Sequence, residues 1–197
     1  MNLFNKIKRK IIYWLNQPVQ PTMLVGFRRA DGQYLPRTRL SNLTHLESRQ
    51  HLHIEDNVYI GHFGFIDASG GLSIKTGVQI SSHVVVATHS SHIALRLYGD
   101  AFLGVHDPVA YGKAPSCIGA YCFIGPHSVL MPGVSLGKGC LVGAYSYVQA
   151  GEYPDFSILK GSPAKIVGDT RDMDAPYLAA HPELRETYLA WAQPDEN

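Results

Sequence analysis

The sequence predicts an all-β fold in which short strands wind into the stacked coils of a parallel β-helix. Three observations carry that prediction. First, Ile118, Ile124, Leu130, Leu136, Val142 and Val148 form an unbroken aliphatic ladder with a period of six. Second, small residues recur four places later, as Cys122, Ser128, Val134, Cys140 and Ser146, and Gly119, Gly125, Gly137 and Gly143 follow the ladder. Third, positions eighteen apart resemble one another, as Ile118 does Leu136 and Cys122 does Cys140. Six residues would turn an α-helix by about 600° and scatter the ladder around its axis, while plain strand alternation has a period of two. One short strand and one turn per six residues accounts for the pattern. Three such units close a triangular coil, and coils stack at the strand spacing of about 4.8 Å.

The ladder also runs earlier, as Ile54, Ile60 and Ile66 and then, after a two-residue slip at Gly70-Gly71, as Ile74, Ile80 and Val86. The coil domain is therefore expected over residues 54–168. Ahead of it, residues 1–20 predict an amphipathic helix, with Phe4, Ile7, Ile11 and Trp14 on one stripe and Lys6, Lys8, Arg9 and Lys10 around it. That helix suits an anionic membrane surface or the open end of the coil stack, and the sequence does not choose between them. Residues 21–53, punctuated by Pro21, Gly26, Gly32 and Pro36, read as irregular strands leading into the first coil. Residues 169–197 read as a polar linker, Asp169 to Asp174, followed by a helix over Ala175–Trp191.

A long loop, residues 87–117, interrupts the coils. Insertions of this length in a compact domain are usually functional or disordered. This one carries His89, His92 and His106, and enough apolar residues (Leu95, Tyr98, Phe102) to be ordered against a second surface.

Composition excludes several classes. Seventeen Lys and Arg against 16 Asp and Glu leave no bulk charge for coating nucleic acid. No apolar run approaches the ~18–20 residues that span a bilayer. Three cysteines, Cys117, Cys122 and Cys140, lack the paired spacing of a structural zinc site, so no metal is expected and a cytoplasmic chain with reduced thiols is.

Four segments carry a family resemblance: Ile118-Gly-Ala-Tyr-Cys-Phe-Ile-Gly, Met131-Pro-Gly-Val-Ser-Leu-Gly, Leu141-Val-Gly-Ala-Tyr-Ser-Tyr-Val and Lys160-Gly-Ser-Pro-Ala-Lys-Ile-Val. They resemble the hexapeptide-repeat acyltransferases, in the branch of maltose, galactoside and polysaccharide O-acetyltransferases. The resemblance implies left-handed winding, a homotrimer with sites between subunits, and acetyl-coenzyme A as co-substrate. It also implies a saccharide acceptor, from a surface polysaccharide or its precursor. A lipid-linked acceptor and a peripheral position at the inner membrane face suit the basic N-terminal helix.

Acetyl transfer to a hydroxyl needs a base, and histidine is the natural one near neutral pH. Val86-Ala-Thr-His-Ser-Ser-His brackets the position where the resembled family holds its base, which makes His92 the leading candidate and His89 the second. Donor contacts implied by the same match are Phe123, Pro126 and Ala144. Gln149-Ala150 stands where the family often has Thr-Lys, leaving Lys160 and Lys165 as substitutes by charge or as plain surface cations. Acceptor candidates are His62, Asp67 and His106. Cys122 and Cys140 fall on the inward register and read as core rather than nucleophiles. Two rivals stand: a metal-dependent lyase resembling the gamma carbonic anhydrases, although no two of the ten histidines have that family's five-residue spacing, and a β-helix scaffold without catalysis.

Overall fold

A computed structural model describes residues 3–16 and 20–193. Three parallel sheets form the faces of a triangular prism. The first face stacks Tyr34–Ser41, Tyr59–Ile60, Gln79–Ile80, Phe123–Ile124, Leu141–Val142 and Ser157–Gly161, and antiparallel strands Met23–Arg28 and Ala164–Asp169 close its two ends. The second stacks His45–Glu47, Phe65–Asp67, Val85–Val86, Val129–Leu130 and Tyr147–Val148. The third stacks Leu52–Ile54, Leu72–Ile74, Ser116–Ile118, Val134–Leu136 and Gly151–Tyr153.

Register follows the ladder. Phe123 pairs with Leu141 and Val129 with Tyr147, eighteen residues on, whereas Tyr59 pairs with Gln79 and Phe65 with Val85, twenty residues on. The two-residue slip thus makes the early coils longer. Every ladder residue from Ile54 to Val148 named above is at most 2% exposed, so the six-residue repeat is the core. Each such side chain contributes roughly 1.5–3 kcal/mol through burial. The small inward positions are satisfied as well: Ser128 Oγ donates to the Gly143 carbonyl at 2.9 Å and Cys122 Sγ to that of Gly137 at 3.0 Å.

The corners require positive φ. Phe63, His83, His127 and Tyr145 occupy one corner position in four successive coils with φ of 58–60°. Left-handed backbone is costly for residues other than glycine. Here the rings stack on one another, Phe63 on His83 at 5.1 Å, His83 on His127 at 4.7 Å and His127 on Tyr145 at 4.8 Å, the spacing of the coils themselves. At another corner Gly77 (φ 72°) cannot be replaced freely, since a Cβ there would meet the Tyr121 ring at 2.5 Å.

Three boundaries differ from expectation. Coil stacking begins at Arg39 rather than Ile54, because Arg39–Leu40 already pairs with Tyr59–Ile60 and His45–Glu47 with Phe65–Asp67. The loop returns to the third face at Ser116, and Cys117 lies inside that strand. The expected polar linker is helical: α3 is Thr170–Ala180, capped by the Asp169 side chain, which accepts from the Arg171 amide at 2.8 Å. A single-turn helix then leads to α4, Arg185–Ala192, whose Trp191 stacks on Tyr121 at 4.4 Å.

At the N-terminus α1 spans Leu3–Asn16, and Ile7, Ile11 and Trp14 on it are exposed rather than packed over the coil end. Residues 1–2 and 17–19 of the expected 1–20 segment, and the side chain of Phe4, lie outside the described residues. The long loop is ordered. His89–Ser90 and Gly112–Lys113 form an antiparallel base, above which α2, His92–Tyr98, leads into a short 3-10 segment, Gly99–Gly104. The Val109 amide donates to the Tyr98 hydroxyl at 3.0 Å and ties the excursion together.

Candidate active site

The prism places functional side chains at its corners. Asp67 ends a strand of the second face, and one coil further on the chain leaves that face through Thr88 and His89. The two meet: His89 Nδ1 lies 2.8 Å from Asp67 Oδ2. The Asp67 side chain is wholly buried and that of His89 is 33% exposed. Asp67 also accepts from the Ser69 amide at 2.8 Å, the Thr88 amide at 2.8 Å and the Thr88 hydroxyl at 3.0 Å. Burial opposes ionisation of Asp67, but these donors, with the side chains of Ser69 and His89, outweigh it and hold the carboxyl well below the usual carboxylate range. An ionised carboxylate only accepts, so His89 donates from Nδ1, and in the neutral ring Nε2 is then the acceptor. Ser69 Oγ lies 2.8 Å from the same Nδ1, and Tyr111 stacks on the imidazole at 5.8 Å.

Other expected residues fare differently. Asp67 is a correction: fully buried, with its oxygens engaged, it orients His89 and has no surface for an acceptor. His92, the leading base candidate, is exposed at the start of α2, where its Nδ1 lies 2.7 Å from the neutral hydroxyl of Ser90; no carboxylate backs it. His106 is exposed in the loop after the 3-10 segment. His62 is half-buried at the corner between the first and second faces, its Nδ1 2.7 Å from Ser41 Oγ, across the second face from His89.

Donor candidates divide among several places. Pro126 and Ala144 lie on the corner of His127 and Tyr145, and Lys160 packs beneath it, its Cγ 2.9 Å from where a Cβ on Gly143 would stand. Lys165 pairs with Lys160 across the closing strands, and both are exposed. Phe123 faces a groove of about 330 Å³ shared with Gln79, Asp174 and Trp191. Sequence reasoning missed a second groove, of about 440 Å³, lined by Met131, Pro132, Tyr147, Gln149 and Ala150. It runs along the same corner as His89, with Met131 and Pro132 one coil on and Gln149 and Ala150 two. The glycine and alanine at Gly133 and Ala150 were its available signal, since a Cβ on Gly133 would stand 3.4 Å from Ala150 Cβ.

Cys122 and Cys140 are buried, and the Cys140 thiol beside it together with burial pushes the Cys122 thiol up. Among the described residues no group of three His, Cys, Asp or Glu side chains gathers to hold a metal.

The bacterial transferase hexapeptide model, six repeats, matches residues 118–150. Those residues carry hexapeptide repeats. The chain is 40% identical over 55 residues to a probable acetyltransferase of Mycobacterium tuberculosis; the matched stretch is 28% of this chain and spans 18% of that relative's length. Two solved structures share the fold. An N-acyltransferase from Bacillus cereus, AntD, in complex with dTDP and 3-hydroxybutyryl-CoA, is 18% identical with a TM-score of 0.51, covering 76% of this chain and 89% of its own. A maltose O-acetyltransferase from Clostridium difficile 630 is 16% identical with a TM-score of 0.50, covering 64% of this chain and 63% of its own.

Proposed function

We propose that this hexapeptide-repeat protein is an acetyl-coenzyme A-dependent O-acetyltransferase acting on a saccharide hydroxyl, with His89 as general base. The observation that carries the reading is the 2.8 Å contact between His89 Nδ1 and the buried Asp67 carboxylate. A neutral histidine so held carries its proton on Nδ1, which leaves Nε2 as the acceptor at the foot of the long loop. Nε2 takes the proton of the acceptor hydroxyl as its oxygen attacks the thioester carbonyl carbon. When the tetrahedral intermediate collapses, the C–S bond breaks and the imidazolium returns the proton to the departing sulfur. Asp67 stabilises the imidazolium between the two transfers, as a carboxylate does in other histidine-based sites. No covalent enzyme intermediate is needed, which agrees with the burial of Cys122 and Cys140.

The neighbours named above supply the donor class: one is bound to an acyl-CoA, and the other is a sugar O-acetyltransferase. The left-handed sense of winding belongs to the same reading and rests on the likeness of the repeats.

A homotrimer completes the site. Within one chain the corner of Pro126 and Ala144 and the corner of His89 lie on opposite edges of the second face, so a donor along the first does not meet the base of the same chain. Threefold packing of one chain's first corner against the next chain's loop brings them together. It also covers Leu95, Leu97 and Leu103, exposed at 51%, 64% and 94%. Thiol release from acetyl-coenzyme A, assayed against a panel of saccharides, tests the reading. Release that depends on one acceptor class is the expected result. No saccharide-dependent release, together with no heat of coenzyme A binding by calorimetry, would leave a scaffold.

A further inference from the structure

The helix α1 has no role in the site, and its composition is unlike the rest of the chain. Its charged residues are Lys6, Lys8, Arg9 and Lys10, and the first acidic residue of the sequence is Asp31. Beyond α1, thirteen Lys and Arg face sixteen Asp and Glu, so the body carries net negative charge and the cationic excess is gathered in one helix. On α1, Ile7, Ile11, Ile12 and Trp14 are 49%, 53%, 47% and 79% exposed. Ile7, Ile11 and Ile12 line a shallow apolar groove together with Lys8.

We infer that α1 is a docking element for the surface of an anionic bilayer. Fourteen residues of helix measure about 21 Å, short of the ~30 Å hydrocarbon core. Among the described residues no helix is long and apolar enough to cross a membrane. A helix of this kind lies in the interface, its apolar stripe in the headgroup and acyl boundary. Lysine stems run along that stripe while their ammonium groups reach the phosphates. Tryptophan, amphipathic and rigid, suits the same depth.

A second copy of α1 is the poorer occupant, since four cations within five residues would face their own kind across the contact. An anionic surface accepts all of them without demanding a fixed geometry. The inference is independent of the acyl-transfer reading: vesicle binding and thiol release are separate measurements, and either can fail alone. Where both hold, the enzyme sits where saccharides carried on lipids present their hydroxyls.

The test is co-sedimentation of the full chain with phosphatidylcholine vesicles, with and without 30 mol% phosphatidylglycerol. Binding to the anionic vesicles should be at least about tenfold tighter than to phosphatidylcholine alone and should weaken as salt is raised. The variant Lys6→Glu/Lys8→Glu/Lys10→Glu and, separately, Ile7→Ser/Ile11→Ser should each lose it. Because no described side chain of α1 belongs to the core cluster, both variants should keep the wild-type circular dichroism and oligomeric mass. No sedimentation with anionic vesicles overturns the inference, as does undiminished binding by both variants. So does a fall in oligomeric mass of the isoleucine variant in place of a loss of vesicle binding, which would assign the stripe to a second copy.

Discussion

The buried Asp67 carboxylate holds the His89 imidazole at 2.8 Å, joining residues twenty-two positions apart through the stacking of one coil on the next. That contact fixes a pH dependence. Asp67 has its pKa depressed in the folded chain, so the stability it contributes is fully present above the unfolded value near 4 and is lost as pH falls below it. Asp67→Asn should therefore unfold with about 2 kcal/mol less stability at pH 7. The gap from wild type should narrow at pH 3, as read by urea denaturation at the two pH values. A gap that stays constant would mean the carboxylate is not ionised against its donors.

His92 serves as the internal control. Its Nδ1 meets the half-buried Ser90 hydroxyl, and its position on α2 is open to solvent. His92→Ala should keep turnover within about threefold of wild type, since its ring meets a neutral hydroxyl where that of His89 meets a carboxylate. A collapse in turnover for this variant would transfer the role of base to α2.

The donor path can be probed at Ala144, exposed on the corner beside His127 and Tyr145. Ala144→Trp should raise the KM for acetyl-coenzyme A about tenfold, equivalent to ~1.4 kcal/mol of lost binding, with little change in thermal stability. An unchanged KM would place the pantetheine arm elsewhere, with the groove of Met131, Gln149 and Ala150 the next place to search.

The proposed assembly rests on the loop. The chain should sediment at three times its 21.7 kDa mass, and Leu97→Asp/Leu103→Asp should dissociate it, because both side chains stand in solvent unless a neighbour covers them. Light scattering at micromolar concentration measures this directly, and a wild-type monomer would contradict the shared site.

Much of the fold was legible because a period of six has no helical explanation. The inward ladder from Ile54 to Val148 could be named residue by residue, slip included. The earliest coil was also written in the sequence, as Leu40 and Leu46, which precede Ile54 by the same two-residue slip and stack on Ile60 and Ile66. It was obscured by the prolines and glycines around it. The helix start at Asp169 was hidden by polarity: Asp169, Thr170, Arg171 and Asp172 look like a linker, yet an aspartate at the cap and another three residues on is a helix start signal. For the site, sequence reached the window of His89 and His92 and stopped there. Choosing between them depends on which imidazole meets a carboxylate. That follows only once coils of twenty residues set Asp67 beside Ala87 and its neighbours. His83 and His127 are members of a stacked corner, an arrangement that appears only once the coils are in register.

The most direct measurement is steady-state thiol release by His89→Ala, with acetyl-coenzyme A binding and oligomeric mass followed in the same preparation. Loss of a general base lowers turnover by about 10²–10⁴-fold. The account predicts a loss of that size with donor affinity and assembly unchanged; turnover near the wild-type rate in a folded, donor-binding His89→Ala protein would contradict it.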